Sequence, residues 1–346
     1  MNIISEAVVK ILMVLSINLT IVAYLVLVER KVSAYIQNRI GPNRVGPWGL
    51  LQPLADIIKL FFKEDIVPKE ANKFIHSLAP IISVVVAFST FAVIPFGDKI
   101  TIFGITYKLV IADVNVGVLI ILALTSLGVY GITLSGWASN NKYSLLGGLR
   151  SAAQMISYEL SLGISLIGVL MMTESLRLTQ IVEFQNGYIL GFIPKWNIFL
   201  QPLGFIIFLV ASFAETNRLP FDLPEAEPEL VGGYHVEDSG MKFGLFFLAE
   251  YAAMITASAF IVTIYLGGWQ FPFVEYFNLS PFMLSLFQIG AFVFKVWLVL
   301  LFFIVIRWTI PRFRYDQLMN IGWKVMLPAS IANVILTAFL IYFNLL

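Results

Sequence analysis

"FMLSLFQIGAFVFKVWLVLLFFIVI", Phe282 to Ile306, is a run of 25 residues with a single charge, Lys295. A bilayer core about 30 Å thick needs about 20 apolar residues to cross it as a helix, so this run predicts a membrane span. Seven more stretches share its character. The eight expected spans are roughly 8–28, 76–97, 112–135, 151–173, 196–214, 243–266, 282–306 and 325–346. Composition agrees: the chain is 59% hydrophobic and 12% charged, about half the charge of a soluble domain, with a mean hydropathy of +0.88. The expected fold class is an all-α polytopic membrane protein. With no Pro/Gly/Ser linker or repeat, residues 1–346 are expected to form a single integral membrane domain.

The same composition excludes several functions. There is no cysteine, so thiolate-ligated iron–sulfur clusters, Cys–zinc sites and disulfides are ruled out in this chain, and no metal site is expected. Two histidines, His76 and His235, argue against a haem held between paired axial histidines. A net charge of +1 gives no reason to expect a nucleic-acid partner. Glu6 precedes the first apolar run, and no small-residue cleavage site follows it, so that run reads as a retained span rather than a secretory signal.

Basic residues set the expected orientation. The loops after spans one, three, five and seven hold sixteen of the 22 Lys and Arg, against five on the opposite face. Both termini are therefore expected on the outer, periplasmic side, with the polar loops inside. In the first of those loops, "LLQPLADIIKLFFK" (50–63) places Gln52, Asp56, Lys59 and Lys63 on one helical face. Leu54, Ile57, Ile58, Phe61 and Phe62 occupy the other. Too short to span, it predicts an amphipathic helix lying at the membrane surface.

Three places stand out for chemistry. "AETNRLPFDLPEAEPELVGG" (214–233) crowds Glu215, Asp222, Glu225, Glu227 and Glu229 around one Arg218, and the polar loop 215–242 continues through Glu237. Prolines 220, 224 and 228 exclude a regular helix, and the cluster reads either as a solvated linker, as charge clusters usually are, or, from the interleaved Leu and Phe, as a loop packed against protein. Carboxylates crowded in a low dielectric cannot all ionise, so protons are shared among them. Glu159, Glu250 and Lys295 fall inside spans, where a charge costs about 2.5–3.5 kcal/mol on insertion scales. They read either as charges relieved by snorkelling or interface placement, or as a buried polar path running from the acidic loop through Glu250 and Glu159 with Lys295 as its positive member. Finally, "VERKVSAYIQNRIGPNRVGPWG" (28–49) carries Arg30, Lys31, Arg39 and Arg44 around a shaped Gly-Pro turn. It lacks the GK[ST] of a phosphate loop. These basic residues read either as an ordinary positive-inside anchor or as groups aimed at a polar headgroup or partner.

"ERKVSAYIQNRIGPNRVGPWGLLQPLADIIKLFFKED", "LLGGLRSAAQMISYE", "QPLGF", "FAETNRLPFDLPEAEPELVGGY", "LAEY" and "IPRFRYDQLM", in this order, resemble the membrane subunit designated H of bacterial NADH:quinone oxidoreductase, respiratory complex I. The resemblance covers nearly the whole chain. It implies a quinone-chamber subunit of a proton-translocating enzyme in the bacterial inner membrane. Quinone would be its substrate, with flavin and iron–sulfur clusters in partner subunits of the membrane and peripheral arms and no redox centre here. Carried across by position, Arg30, Arg39, Asp56 and Arg307 would line or support the chamber. Glu159, Glu215, Arg218, Asp222, Glu225, Glu227, Glu229, Glu237, Glu250 and Lys295 would form the proton-coupling element. Pro224, Ala226 and Pro228 depart from a usual pattern closer to "TEGESE", implying a stiffer loop. His235 and Asp238 also depart, and His235 reads either as a satisfied loop histidine, the commoner case, or as a group titrating near neutrality. A related subunit of an energy-converting hydrogenase or other-donor complex, and a stand-alone proton-coupled transporter, remain alternatives.

Overall fold

Apolar helices joined by connections of very unequal length make up the described chain. The computed structural model describes residues 3–102, 104–189, 191–274 and 280–343. In order, the helices are α1 (Ile3–Ile36), α2 (Gln52–Phe62), α3 (Lys73–Ser89), α4 (Gly117–Ala138), α5 (Lys142–Thr173), α6 (Leu178–Phe184), α7 (Asn197–Leu200), α8 (Pro202–Glu215), α9 (Glu227–Leu230), α10 (Gly240–Tyr265), α11 (Pro281–Thr309), α12 (Tyr315–Asn320) and α13 (Leu327–Tyr342). A π-helical turn, Ile321–Met326, joins the last two into one rod. Two antiparallel hairpins, β1 (Lys99–Ile102) with β2 (Ile105–Lys108) and β3 (Tyr188–Ile189) with β4 (Ile193–Pro194), sit in loops that follow α3 and α6.

Local sequence explains where the helices begin. Asn72 and Asn141 cap α3 and α5 by accepting from the backbone N–H of Ile75 and Tyr143, and Ser280 accepts from Met283 ahead of Pro281. Each cap satisfies one of the donors that a helix start leaves without an intrahelical partner. Within the helices, Ser and Thr hydroxyls donate to carbonyls one turn back, as Thr20 does to Ser16 and Thr263 to Ala259. Few hydroxyls are thereby left bare in an apolar setting.

Seven helices are long and apolar enough to cross a membrane. The fifth expected span, 196–214, is the exception. Pro202 lacks an N–H, and the backbone at Gln201 leaves the helical region (φ −131°, ψ 57°). The span is thereby divided into the four-residue α7 and the fourteen-residue α8. At 1.5 Å per residue, α8 covers only about 21 Å. Its C-terminal end is met inside the bundle by the acidic loop. Gln154, fully buried on α5, donates to the carbonyls of Ala214 (2.8 Å) and Phe221 (2.7 Å). Gln154 lies about 18 Å along α5 from its start, so the loop fills depth that a longer helix would occupy. Irregular backbone at such depth is stable only where protein encloses it.

The acidic loop has left-handed or unusual backbone at Asn217, Val231, Gly232 and Gly233, and a cis Leu219–Pro220 bond. Gly233 has φ +66°, and a Cβ there would stand 1.6 Å from the carbonyl oxygen of Pro224. From the other side, a Cβ on Gly147 of α5 would come within 2.7 Å of the Tyr234 nitrogen. Gly233→Ala is accordingly expected to lower the amount of chain retained in membranes at least fivefold on a quantitative immunoblot. Gly163→Ala, whose added methyl meets open space, serves as the matched control. Equal amounts of both variants would contradict the close packing.

Aromatic rings fill the centre. Phe208 packs on Phe260 and Tyr265, and Phe213 stacks on Phe303 at 4.0 Å. Outward-facing residues such as Leu12, Met13, Phe294, Leu298, Ile335 and Phe339 are exposed, as expected of faces solvated by lipid. The apolar side of α2 is bare too: Leu54, Ile57, Ile58, Phe61 and Phe62 are all exposed. The surface helix anticipated over 50–63 is thus present, one to two residues shorter at each end.

A buried chain of charges

Glu29 is the hub of the site. It sits near the C-terminal end of α1 and is 4% exposed. A bare carboxylate in that position would be untenable, and three groups satisfy it. Arg218 Nη1 donates to both carboxylate oxygens at 3.1 Å, the Tyr251 hydroxyl donates at 2.7 Å, and Arg307 from α11 donates to Oε1. Arg218 also stacks on the Tyr251 ring, 4.3 Å from its centroid.

Arg218 is itself 2% exposed and faces a second acid, with Nε 2.6 Å from Glu250 Oε1. Burial works against its charge, yet Glu250 and Glu29 hold the guanidinium above its ordinary pKa. It therefore remains a fixed cation joining α1, the acidic loop and α10. Glu250 in turn lines a cavity of about 110 Å³ between α3, α4, α5, α8 and α10. Glu215, Glu225, Thr125, Asn217, Tyr234 and Thr256 share its wall. Its volume is room for several water molecules beside these polar groups, in a wall that is otherwise mostly apolar.

The remaining acids divide into two groups. Asp222 is buried and accepts from Arg312 at 2.7 Å, and burial still pushes its carboxyl up to about 6. Glu225 is held well above the usual carboxylate range, first by burial and then by Glu250 and Asp222. Glu159 on α5 accepts from Ser126 on α4 and lies within Coulombic reach of Glu215. Glu229 instead sits at the surface, paired with Arg150 at 2.6 Å, and Glu237 accepts from Asn141 at 2.6 Å. The side chain of Glu227 lies outside the described residues.

Lys295 stands apart from the acids. Its ammonium donates to the carbonyls of Leu266 (2.6 Å), Gly268 (3.1 Å) and Gln270 (2.5 Å) and lies over the Trp196 ring. Those carbonyls follow the end of α10, about 24 Å along that helix from Glu250. The sequence placed Lys295 on the acidic path. The fold gives it a different setting, because carbonyls freed at a helix end attract a cation. Its long stem reaches them from mid-helix.

At the polar end of α1, Arg30 reaches Asp56 on α2 at 2.6 Å, and Gln52 donates to the same carboxylate at 3.0 Å. Lys31 donates to the Trp48 carbonyl at 2.7 Å. These bonds fasten the surface helix to α1. Arg39 is exposed and donates to Gln37. Arg30 and Asp56 thus form one unit, Arg307 belongs to the Glu29 cluster, and Arg39 belongs to neither. His235 lies 3.6 Å from Glu225, and burial pushes its imidazole down to about 4. The enclosed ring is therefore neutral at pH 7, contrary to titration near neutrality.

Three residues of this site were not singled out in the sequence. Glu29 hid in "VERK", where the neighbouring basic residues dominate. Its acid at the end of an apolar run, in helical register with the span, was the signal. Tyr251 and Arg312 lie inside the "LAEY" and "PRFRYDQLM" runs, with no individual mark.

With this geometry in view, similarity becomes informative. The sequence pattern of a family described as NADH dehydrogenase matches residues 9–338. The chain belongs to the NADH dehydrogenase family. Relatives agree over nearly their full length. The NADH-quinone oxidoreductase subunit designated H in Salinibacter ruber is 53% identical over 334 residues, covering 94% of this chain and 93% of that one. Subunit 8 of the Rhodothermus marinus NADH-quinone oxidoreductase is 53% identical over 335 residues, covering 94% of each chain. The subunit designated H 1 in Cytophaga hutchinsonii is 50% identical over 324 residues, covering 94% and 93%. As an NADH dehydrogenase family member with seven long apolar helices, the chain is a multi-pass membrane protein. Among the described residues no group of His, Cys, Asp and Glu is arranged to hold a metal.

Proposed function

We propose that this chain is the membrane subunit of a proton-translocating NADH:quinone oxidoreductase that forms the quinone access chamber and links quinone reduction to proton movement. The named relatives support the first part. The observation that carries the second is Arg218, one buried guanidinium shared by Glu29 and Glu250. On one side the carboxylate of Glu29 meets Arg307, at the end where α1 is fastened to the surface helix α2. On the other, Glu250 lines the cavity with Glu215 and Glu225.

In this reading the quinone tail enters past the exposed apolar face of α2. Arg30, Asp56, Arg39 and Arg307 line or support the chamber. Flavin and iron–sulfur clusters, carried by partner subunits of the peripheral arm, supply electrons, and this chain holds none of them. Reducing a quinone adds negative charge and draws protons. Either change near Glu29 alters the field at Arg218. At an effective dielectric near 20, a unit charge about 4 Å away is worth about 4 kcal/mol, about three pKa units. A change of that order at Arg218 is enough to bias how the acids on its far side share protons. A proton then passes among Glu225, Glu215 and Glu159 toward the membrane arm, with cavity water bridging the gaps. Glu229, Glu227 and Glu237 complete the acidic loop at its outer edge. The location would be the bacterial inner membrane, with both termini on the periplasmic side.

Gentle extraction from native membranes, followed by a native gel stained for NADH oxidation and mass spectrometry of the band, tests the assignment. A very large NADH-active assembly containing this chain is the expected result. A large band holding hydrogenase or other dehydrogenase subunits instead would contradict it, as would a chain that remains solitary under conditions that preserve other respiratory complexes.

A further inference from the structure

The coupling role leaves Asp238 and His76 without a part to play, although both are sealed from solvent. Their side chains are 0% exposed, and His76 Nε2 lies 3.4 Å from Asp238 Oδ1. The other oxygen of Asp238 accepts from the Ser135 hydroxyl at 3.0 Å, and that hydroxyl lies 3.3 Å from the Tyr234 carbonyl. Neither ring nitrogen of His76 makes a hydrogen bond to a described residue. Three parts of the fold meet here: the first turn of α3, the last turn of α4 and the end of the acidic loop. The two helices are already joined by a hydrogen bond from the Asn72 N–H to the Ala138 carbonyl at 3.0 Å.

A carboxylate with one hydroxyl donor is poorly solvated in such a socket, and so is an imidazole with none. Together the two groups are neutral when they hold one proton between them, whichever carries it. Other charges face the socket. Lys242 on α10 is paired with Asp65 at 3.1 Å, Glu237 is held by Asn141, and His235 lies in the loop beside Glu225.

We propose that His76 and Asp238 share one proton and act as positioning residues, latching the end of the acidic loop to α3 and α4. The latch sets the placement of Tyr234 and Glu225 at the cavity wall. Its pH dependence has a definite sign. Burial pushes the Asp238 carboxyl up to about 6, against the donation from Ser135 and the charge of Lys242. A raised carboxyl favours the protonated form in the fold. The contribution is therefore complete at acid pH and is lost as pH rises through about 6, with Asp65 and Glu237 adding to the loss.

Hydrogen–deuterium exchange on the purified intact complex tests this, reading the amides of 233–238 across pH 5.5–9 after correction for intrinsic exchange. In the wild type, protection is expected to fall about fourfold over that range, nearly all of it below pH 7. Asp238→Asn still accepts from Ser135 but cannot ionise, so its protection is expected to be independent of pH. His76→Leu strands the carboxylate and is expected to lose protection. The double variant His76→Leu/Asp238→Asn should recover to within about twofold of the wild type at pH 6. An Asp238→Asn profile that follows the wild type, or a double variant no better protected than His76→Leu, would overturn the latch. If His76→Leu fails to assemble, the Asp238→Asn profile decides alone.

The inference rests on the proposed coupling role only where quinone turnover is the readout. There the wild type is expected to lose turnover between pH 5.5 and 7 as Asp238 ionises, and Asp238→Asn is expected to abolish that loss. Flattened protection with unaltered turnover would keep the latch and count against the coupling role, so the two failures are distinguishable.

Discussion

Replacing Arg218 with methionine is expected to leave less than a tenth of the quinone-reducing activity and to reduce the assembled complex severalfold. Arg218 is 2% exposed and serves two carboxylates at once. Removing one partner of a buried ion pair costs about 3–5 kcal/mol, because the charge left behind has lost its water as well. Here two acids are left. Glu29 keeps Tyr251 and Arg307, whereas Glu250 loses the cation paired with it. Arg218→Lys separates charge from geometry. A lysine preserves the cation but has no planar fork to span Glu29 and Glu250 together. It is expected to restore most of the assembly while quinone turnover stays reduced about tenfold. NADH oxidation by a soluble artificial acceptor, measured in the same membranes, should follow the amount of complex. Normal quinone turnover in assembled Arg218→Met would refute the bridging role.

Glu225→Gln makes the opposite demand. The carboxyl is held well above the ordinary range by burial and by Glu250 and Asp222, so the fold favours its protonated form. The amide copies that form, and assembly is expected to be normal. An amide cannot release a proton, however. Quinone turnover and the proton gradient it builds are both expected to fall at least tenfold in inverted membrane vesicles. Wild-type rates with a full gradient would remove Glu225 from the relay. A loss of assembly would show instead that its ionised form supports the fold.

Much of the architecture could be read from the chain because the bilayer imposes a length rule. Runs such as Phe282–Ile306 satisfy it without reference to any neighbour. The fifth span shows where that rule stops. Its apolar residues have the right number, but Gln201–Pro202 breaks the helix and Gln154, on another helix, accepts the acidic loop into the space. Nothing within 196–214 announces a partner 60 residues away.

The site was legible by residue type and poorly legible by pairing. Crowded acids marked the loop as a place of interest, and the fold puts Glu215 and Glu225 on one cavity wall with Glu250, while Asp222 turns to Arg312. The cation that joins them to Glu29 was visible in the same loop as Arg218, but its second partner lies 189 positions earlier in the chain. Lys295 illustrates the converse. A charge inside a span signals that something polar is near, but not whether it is a carboxylate or the free carbonyls of a helix end. Asp238 and His76, 162 positions apart, gain their meaning only when α3 and α4 bring them together.

The most direct test of the chamber is to label the intact native complex with a photoreactive quinone and map the attachment by mass spectrometry. Label should fall in this chain between Arg30 and Asp56 or around Arg307, and excess unlabelled quinone should suppress it. Competable label found only on other subunits, with none on this chain, would contradict the account.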